Sequence, residues 1–274
     1  MTETLPDPSR FVVLISHERS GSHFLTDLLV STGQIRSFDE VCNFNAINPD
    51  TVPASFFRFR MEASAADPDI LLRPNWRCMG RLLEKYFDHL ATMTPDGKRA
   101  LLDIKWGHIH NFEQAWWTPQ RRPFLFGWLE RHRIPVINLA RRDSLATMVS
   151  NLVAEERKVW HMKKGETLPD VAVTIDVQKA VHDALLLVRE KEMVAGWAST
   201  NKCFNIDYED IAGDGVARHA VMTRLCQFLN IDPPAEFKSE RAKLMRSIKA
   251  AVANYAELRE RVALEGGGKL VLAD

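Results

Sequence analysis

Four short apolar runs, each closed by polar residues and followed by a stretch of helical spacing, restrict this chain to an alternating strand and helix architecture. The runs are residues 11–15 (FVVLI), 100–106 (ALLDIKW), 135–140 (PVINLA) and 204–208 (FNIDY). Each is short and rich in β-branched or large apolar residues, as a buried strand requires. Between them, four sets of residues each mark one apolar helix face: Leu25, Leu28 and Leu29; Leu145, Met148, Val149 and Leu152; Val177, Val181, Leu185 and Val188; Val221, Leu225, Phe228 and Leu229. The alternation predicts an α/β domain with a mostly parallel central sheet flanked by helices, one domain over residues 1–274. Residues 39–75, punctuated by Asn43, Pro53, Asp67 and Pro68, read as a loop-rich excursion with short helices. Such excursions build clefts at the C-terminal edge of strands. Residues 266–274 (GGGKLVLAD) read as a flexible tail.

Composition narrows the partners. Lys plus Arg and Asp plus Glu both number 36, so no global basic field points to nucleic acid, and any anion binding must be local. Cys42, Cys78, Cys203 and Cys226 are widely spaced without a CxxC pair, which favours reduced thiols over a disulfide framework or a zinc site. No stretch approaches 18 uninterrupted apolar residues, and MTETLPDPSR lacks a basic and then apolar leader pattern. A cytoplasmic protein without a transmembrane segment is expected.

The first apolar run leads into SHERSGSHFLTDLL, residues 16–29, the layout of a turn opening a helix. The first amides of a helix have no intrahelical partner, and with the helix dipole they attract an anion. Ser20, Gly21, Ser22 and His23 occupy that turn, with Gly21 permitting close approach of backbone to ligand. The GxxxxGK[ST] pattern of a nucleoside triphosphate site is missing. Arg19 supplies charge in place of its lysine, with a planar fork suited to a multi-oxygen anion. The plainer reading keeps Ser22 as a helix cap and Gly21 as a chain turn.

A second constellation follows the third run. Arg141 and Arg142 stand at its end, Asp143 or Ser144 can cap the next helix, and Ser150 lies eight residues after Arg142. An arginine at the helix mouth and a hydroxyl about two turns along can grip one phosphate. Alternatively these are surface arginines and a core-facing or back-bonded serine.

With both constellations in place, the chain resembles the sulfotransferases that use 3′-phosphoadenosine 5′-phosphosulfate (PAPS), most closely the bacterial carbohydrate branch of trehalose 2-sulfotransferase and lipopolysaccharide sulfotransferases. The resemblance is carried by RSGS with the following LLxxTG (residues 19–33), Asp39 and Glu40, ARRDxxxxxVS (residues 140–150), Trp160 and, more weakly, IDYEDI (residues 206–211). It implies a three-layer fold like that of the P-loop NTPases, PAPS as co-substrate with no metal required, a carbohydrate or glycolipid acceptor, and a homodimer. It places Arg19, Ser20, Gly21, Ser22 and His23 around the 5′-phosphosulfate, and Arg142 and Ser150 at the 3′-phosphate. Arg19 is then expected to stabilise the leaving phosphate. Glu40, with Asp39 beside it, is expected as general base, and His108 is the second choice. Asp39 and Glu40 also read as a solvated acid pair, and His108 as a scaffold residue at a strand end.

Lys105 is expected either to face the donor or to end a strand, Trp160 to pack on the adenosine or acceptor side, and Lys243 and Arg246 to add phosphate contacts or form a solvated face. Trp76, Trp106, Trp116, Trp117 and Trp128 suit either sugar stacking or packing. The chain departs from the family pattern at His23, where the family has threonine. A P-loop kinase is the competing enzyme class, opposed by the missing GK[ST] and by no evident acidic strand end. A nucleotide- or glycan-binding protein without catalysis is the third.

Overall fold

A computed structural model describes residues 7–43, 52–72, 76–113, 121–160, 162, 165–166, 172–241, 247–270 and 272. The chain runs β1 (Phe11–Ser16), α1 (Ser22–Val30), β2 (Ile35–Glu40), α2 (Phe56–Ala66), α3 (Asp69–Leu72), α4 (Trp76–Thr92), β3 (Arg99–Lys105), α5 (Phe124–Arg131), β4 (Val136–Ala140), α6 (Ser144–Arg157), α7 (Val177–Ala198), β5 (Cys203–Asp207), α8 (Tyr208–Ala212), α9 (Gly215–Leu229), α10 (Ile248–Ala251) and α11 (Tyr255–Glu265). The five strands form one all-parallel sheet in the order β2-β3-β1-β4-β5. The four apolar runs are β1, β3, β4 and β5, with β3 ending at Lys105 rather than Trp106 and β5 at Asp207 rather than Tyr208.

Alternation along β1 divides the core into two layers. Val12 and Leu14 pack with Leu25, Leu28 and Leu29 of α1 and with Met222 and Leu225 of α9. Val13 and Ile15 face the opposite side, where α4, α5, α6 and α7 contribute Leu83, Phe126, Val149 and Val181. The connection from β1 therefore leaves for one face while those from β3 and β4 leave for the other. The C-terminal edge around β1 is the place where such sheets bind ligands.

Among the described residues of the 39–75 segment, Asp39 and Glu40 end β2, and the short helices α2 and α3 follow. That segment is anchored to the core, because Phe56 is fully buried against Phe112 and Tyr86, and the Tyr86 hydroxyl donates to the Ala54 carbonyl at 2.5 Å. Leu270, after the three glycines, is buried in the main core cluster. Trp106 and Trp128 are core residues. Lys243, Arg246, Trp116, Trp117 and the side chain of Trp76 lie outside the described residues.

Strand β2 was not evident in the sequence because IRSFDE alternates imperfectly. Its pairing with β3 steps from Ser37 opposite Leu101 to Glu40 opposite Asp103, one residue too many, and Asp39 takes φ +55° at that point. This bulge lets both Phe38 and Val41 enter one core cluster, which strict alternation forbids, and it re-aims Glu40 at the sheet's C-terminal edge. Among the described residues no helix is long and apolar enough to cross a membrane.

Candidate functional site

The turn between β1 and α1 is curled by two left-handed residues, Arg19 at φ +62° and Gly21 at φ +85°. Helices α6, α7 and α9 start at Asp143, Asp176 and Asp214, whose side chains accept amide hydrogen bonds from Ala146, Lys179 and Ala217. Helix α1 instead starts at Gly21 with no side-chain cap. Its first amides therefore keep their capacity for an external acceptor. A β-carbon on Gly21 would lie 2.2 Å from Cδ2 of Tyr208, so the first residue of α8 covers the turn and demands glycine beneath it.

Strand β3 brings the charge. Asp103 and Lys105 are two residues apart and so share a face, the side covered by α1, while Leu102 and Ile104 fill the opposite core. The Lys105 ammonium is almost fully buried and donates to Asp103 Oδ2 at 2.6 Å, to Ser22 Oγ at 2.6 Å and to Ser16 Oγ at 3.2 Å. It also lies 3.4 Å from Glu40 Oε1. Burial by itself lowers a lysine's affinity for its proton, but Asp103 and Glu40 outweigh that effect and hold Lys105 above its ordinary range. The same turn that carries the uncapped amides thus receives an ammonium from below.

Glu40 completes a network at the edge of this turn. Its Oε1 lies 3.5 Å from Nε2 of His23, and its Oε2 accepts from Asn43 at 3.2 Å. Burial would raise its pKa, yet the His23 hydrogen bond and the Lys105 charge bring it down to about 2. Glu40 is a fixed anion in this arrangement.

Arg19 links the two sequence constellations. Its Nε and Nη2 lie 3.4 Å from Ser150 Oγ on α6, and its Nη1 donates to the Trp160 carbonyl at 2.5 Å. Desolvation first, then the like charge of Arg141, lower its pKa. Arg141 stacks over the Tyr208 ring at 5.5 Å, and its buried Nε has no hydrogen-bond partner, with Glu209 at 3.9 Å. Two guanidinium groups are therefore held near one another beside an uncapped helix start. A polyanion placed between or upon them would relieve their mutual repulsion.

Of the residues singled out in the sequence, the fold gathers Arg19, Ser20, Gly21, Ser22, His23, Glu40 and Ser150 around one strand edge. Ser20 is buried in the turn, its amide bonded to the His17 carbonyl. Arg142 is at the same edge but turned to acids: Nε donates to Asp207 Oδ2 at 2.9 Å, Nη2 to Asp210 Oδ1, and its amide to Glu209 Oε2 at 3.0 Å. Among the described residues no hydrogen bond joins Arg142 to Ser150, whose hydroxyl is taken by Arg19. His108 sits on a 3-10 turn after β3, its Nδ1 buried without a hydrogen bond, and no ion pair or hydrogen bond links it to Glu40 or Lys105. Trp160 offers its carbonyl to Arg19 and leaves its ring exposed.

Several site residues had weaker sequence signals. Asp103 provides the acidic residue on the strand beside β1 that the sequence did not make evident, because ALLDIK reads as an unbroken apolar run. Tyr208 was legible only as part of IDYEDI. Lys191 of α7, which donates to the Arg142 carbonyl at 3.0 Å and to Ser144 Oγ at 2.7 Å, had no local signal at all. No protein-family model matches this sequence and no curated protein matches it, so the chemistry of the site is argued from its own residues.

Proposed function

We propose that this protein transfers a sulfuryl group from 3′-phosphoadenosine 5′-phosphosulfate to a hydroxyl of a saccharide or glycolipid acceptor, on a three-layer fold like that of the P-loop NTPases. The observation that carries this reading is the convergence of Arg19, Arg141 and Lys105 on an uncapped α1 start, with Gly21 under Tyr208 and no lysine in the turn itself. A loop of this kind suits a donor with a 5′-phosphosulfate. The amides of Ser22 and His23 and the cations would hold its oxygens, and Ser150 with Arg142 would receive the 3′-phosphate once Arg142 leaves its acids. Sulfuryl transfer, like phosphoryl transfer, proceeds by in-line displacement through a loose, charge-spread transition state. Positioning and stabilisation of the leaving phosphate are then the main tasks of the protein. Arg19 and Lys105 are the groups for the second task, and Glu40, beside His23, would serve the acceptor proton.

One observation favours a second reading. Asp103, on the strand next to β1, is where a nucleoside triphosphatase carries its magnesium-orienting acid. Here its carboxylate is bound to the Lys105 ammonium at 2.6 Å, which commits its charge within the protein. Titration calorimetry separates the readings. Binding of 3′-phosphoadenosine 5′-phosphate without a magnesium requirement is expected, whereas ATP-selective, magnesium-dependent binding refutes sulfuryl transfer. Labelled sulfate moving from PAPS to a member of a carbohydrate panel then distinguishes an enzyme from a nucleotide- or glycan-binding protein.

A further inference from the structure

We propose that Lys191 is a positioning residue for the 3′-phosphate: it holds the turn between β4 and α6 in the form that lets Arg142 grip that group. This rests on the sulfuryl-transfer reading above and names the part of α7 that serves the donor. Ala180, Ala184, Leu187, Val194 and Ala198 are buried along one face of α7. Residue 191 falls on the same face, one turn after Leu187 and one turn before Val194, where helical spacing calls for an apolar side chain. It is a lysine instead, half-buried, whose apolar stem suits the packed face and whose ammonium reaches the C-terminal edge of the sheet.

The ammonium meets the turn on both sides of Asp143. Nζ donates to the Arg142 carbonyl at 3.0 Å and to Ser144 Oγ at 2.7 Å. Asp143 itself caps α6 through the Ala146 amide at 2.8 Å, so the helix start is closed without help from α7. What Lys191 adds is a fixed orientation for the peptide that follows Arg142. It also stands among the acids that hold that arginine. Glu209, Asp143 and Asp207 act on the ammonium, and Glu209 and Asp207 are the groups that accept from the Arg142 amide and Nε. Lys191 thus favours phosphate binding in two ways that agree: it orients the turn, and it draws on acids that compete with a phosphate for the guanidinium.

Burial is the leading influence on the ammonium and works against its charge. An apolar residue of similar length would avoid that penalty at the same place on the helix face. Adenosine 5′-monophosphate differs from 3′-phosphoadenosine 5′-phosphate only by lacking the 3′-phosphate, so the ratio of the two affinities reads that end of the site alone. A lysine that merely supported the fold would move both affinities together and leave the ratio unchanged.

The test uses the full chain and titration calorimetry with these two nucleotides. The parent is expected to prefer the bisphosphate. Lys191→Met should cut that preference about tenfold, the scale of one charge-assisted contact, with affinity for the monophosphate kept. Lys191→Arg, which keeps the charge and the donors, should restore most of it. In an Arg142→Ala background Lys191→Met should have no further effect, because it acts through Arg142. Lys191→Gln serves if the methionine variant does not fold. If Lys191→Met keeps the parental preference, or its effect adds in full to that of Arg142→Ala, the proposal is wrong, with sulfuryl transfer intact. If the parent itself shows no preference for the bisphosphate, the functional reading fails and this one with it.

Discussion

At Gly21 a methyl group would meet the Tyr208 ring at 2.2 Å, in a backbone conformation of φ +85° that side chains resist. Gly21→Ala must therefore either push Tyr208 off the turn or uncurl the start of α1. The expected outcome is at least a tenfold loss in affinity for 3′-phosphoadenosine 5′-phosphate by calorimetry, roughly 1.4 kcal/mol or more, together with a lower Tm. Lys105 gives a second prediction at this scale. Its ammonium answers the buried Asp103 carboxylate, and removing one member of such a pair leaves an uncompensated charge. Lys105→Met should cost about 3–5 kcal/mol in urea unfolding. Adding Asp103→Leu should recover part of that stability but none of the nucleotide binding, because Ser22 has then lost its cation.

Among elements, the ends of β4 and β5 act on each other through Arg142. The β4 end offers the guanidinium, and the β5 to α8 corner offers Asp207 and Asp210, which raise the Arg142 pKa by hydrogen bonding and charge. The pair is exposed, so its strength is modest and falls with salt. A bound 3′-phosphate would compete with Asp210 for the same fork. Asp210→Asn should thus tighten binding of 3′-phosphoadenosine 5′-phosphate, while Arg142→Ala weakens it by about ten- to a hundredfold, the loss of one charge-assisted contact. Equal affinity in the parent and both variants would place the 3′-phosphate elsewhere. The bulge in β2 works similarly at a distance: Asp39, left-handed at φ +55°, sets the aim of Glu40 without joining the network.

For the whole molecule, pH dependence combines two carboxylates of opposite sign. Glu40 is depressed to about 2 from an ordinary 4.5, so the stability it contributes is present above about 4.5 and lost as pH falls toward 2. Glu113 is raised to about 7 by burial, only partly offset by amides of Phe124 and Leu125, and its Oε1 accepts from Phe124 at the start of α5. The folded state holds that proton more tightly than the unfolded chain. Its contribution is full below about 4.5 and is lost as pH rises through about 7. Glu113→Gln keeps the acceptor and removes the titration. Its Tm should therefore fall less than the parent's between pH 5 and pH 8 as followed by circular dichroism, while its acid unfolding, set by groups such as Glu40, stays the same.

The sequence by itself determined the alternation of strands and helices, because a buried parallel strand leaves a local apolar signature and a helix face leaves a periodic one. It also marked the turn at residues 19–23 and the hydroxyl at Ser150, since small residues and arginine after a strand have a local meaning. What only the tertiary structure decided is which charge answers which. Lys105 reaches Ser22 because β3 lies beside β1 with Ser16 opposite Lys105, and Glu40 reaches Lys105 because a bulge shifts β2 by one residue. Arg19 takes Ser150, and Arg142 takes the acids of β5 and α8. These pairings depend on sheet order and register, which no local pattern encodes, and they turn His23 from an unexplained departure into the partner of Glu40.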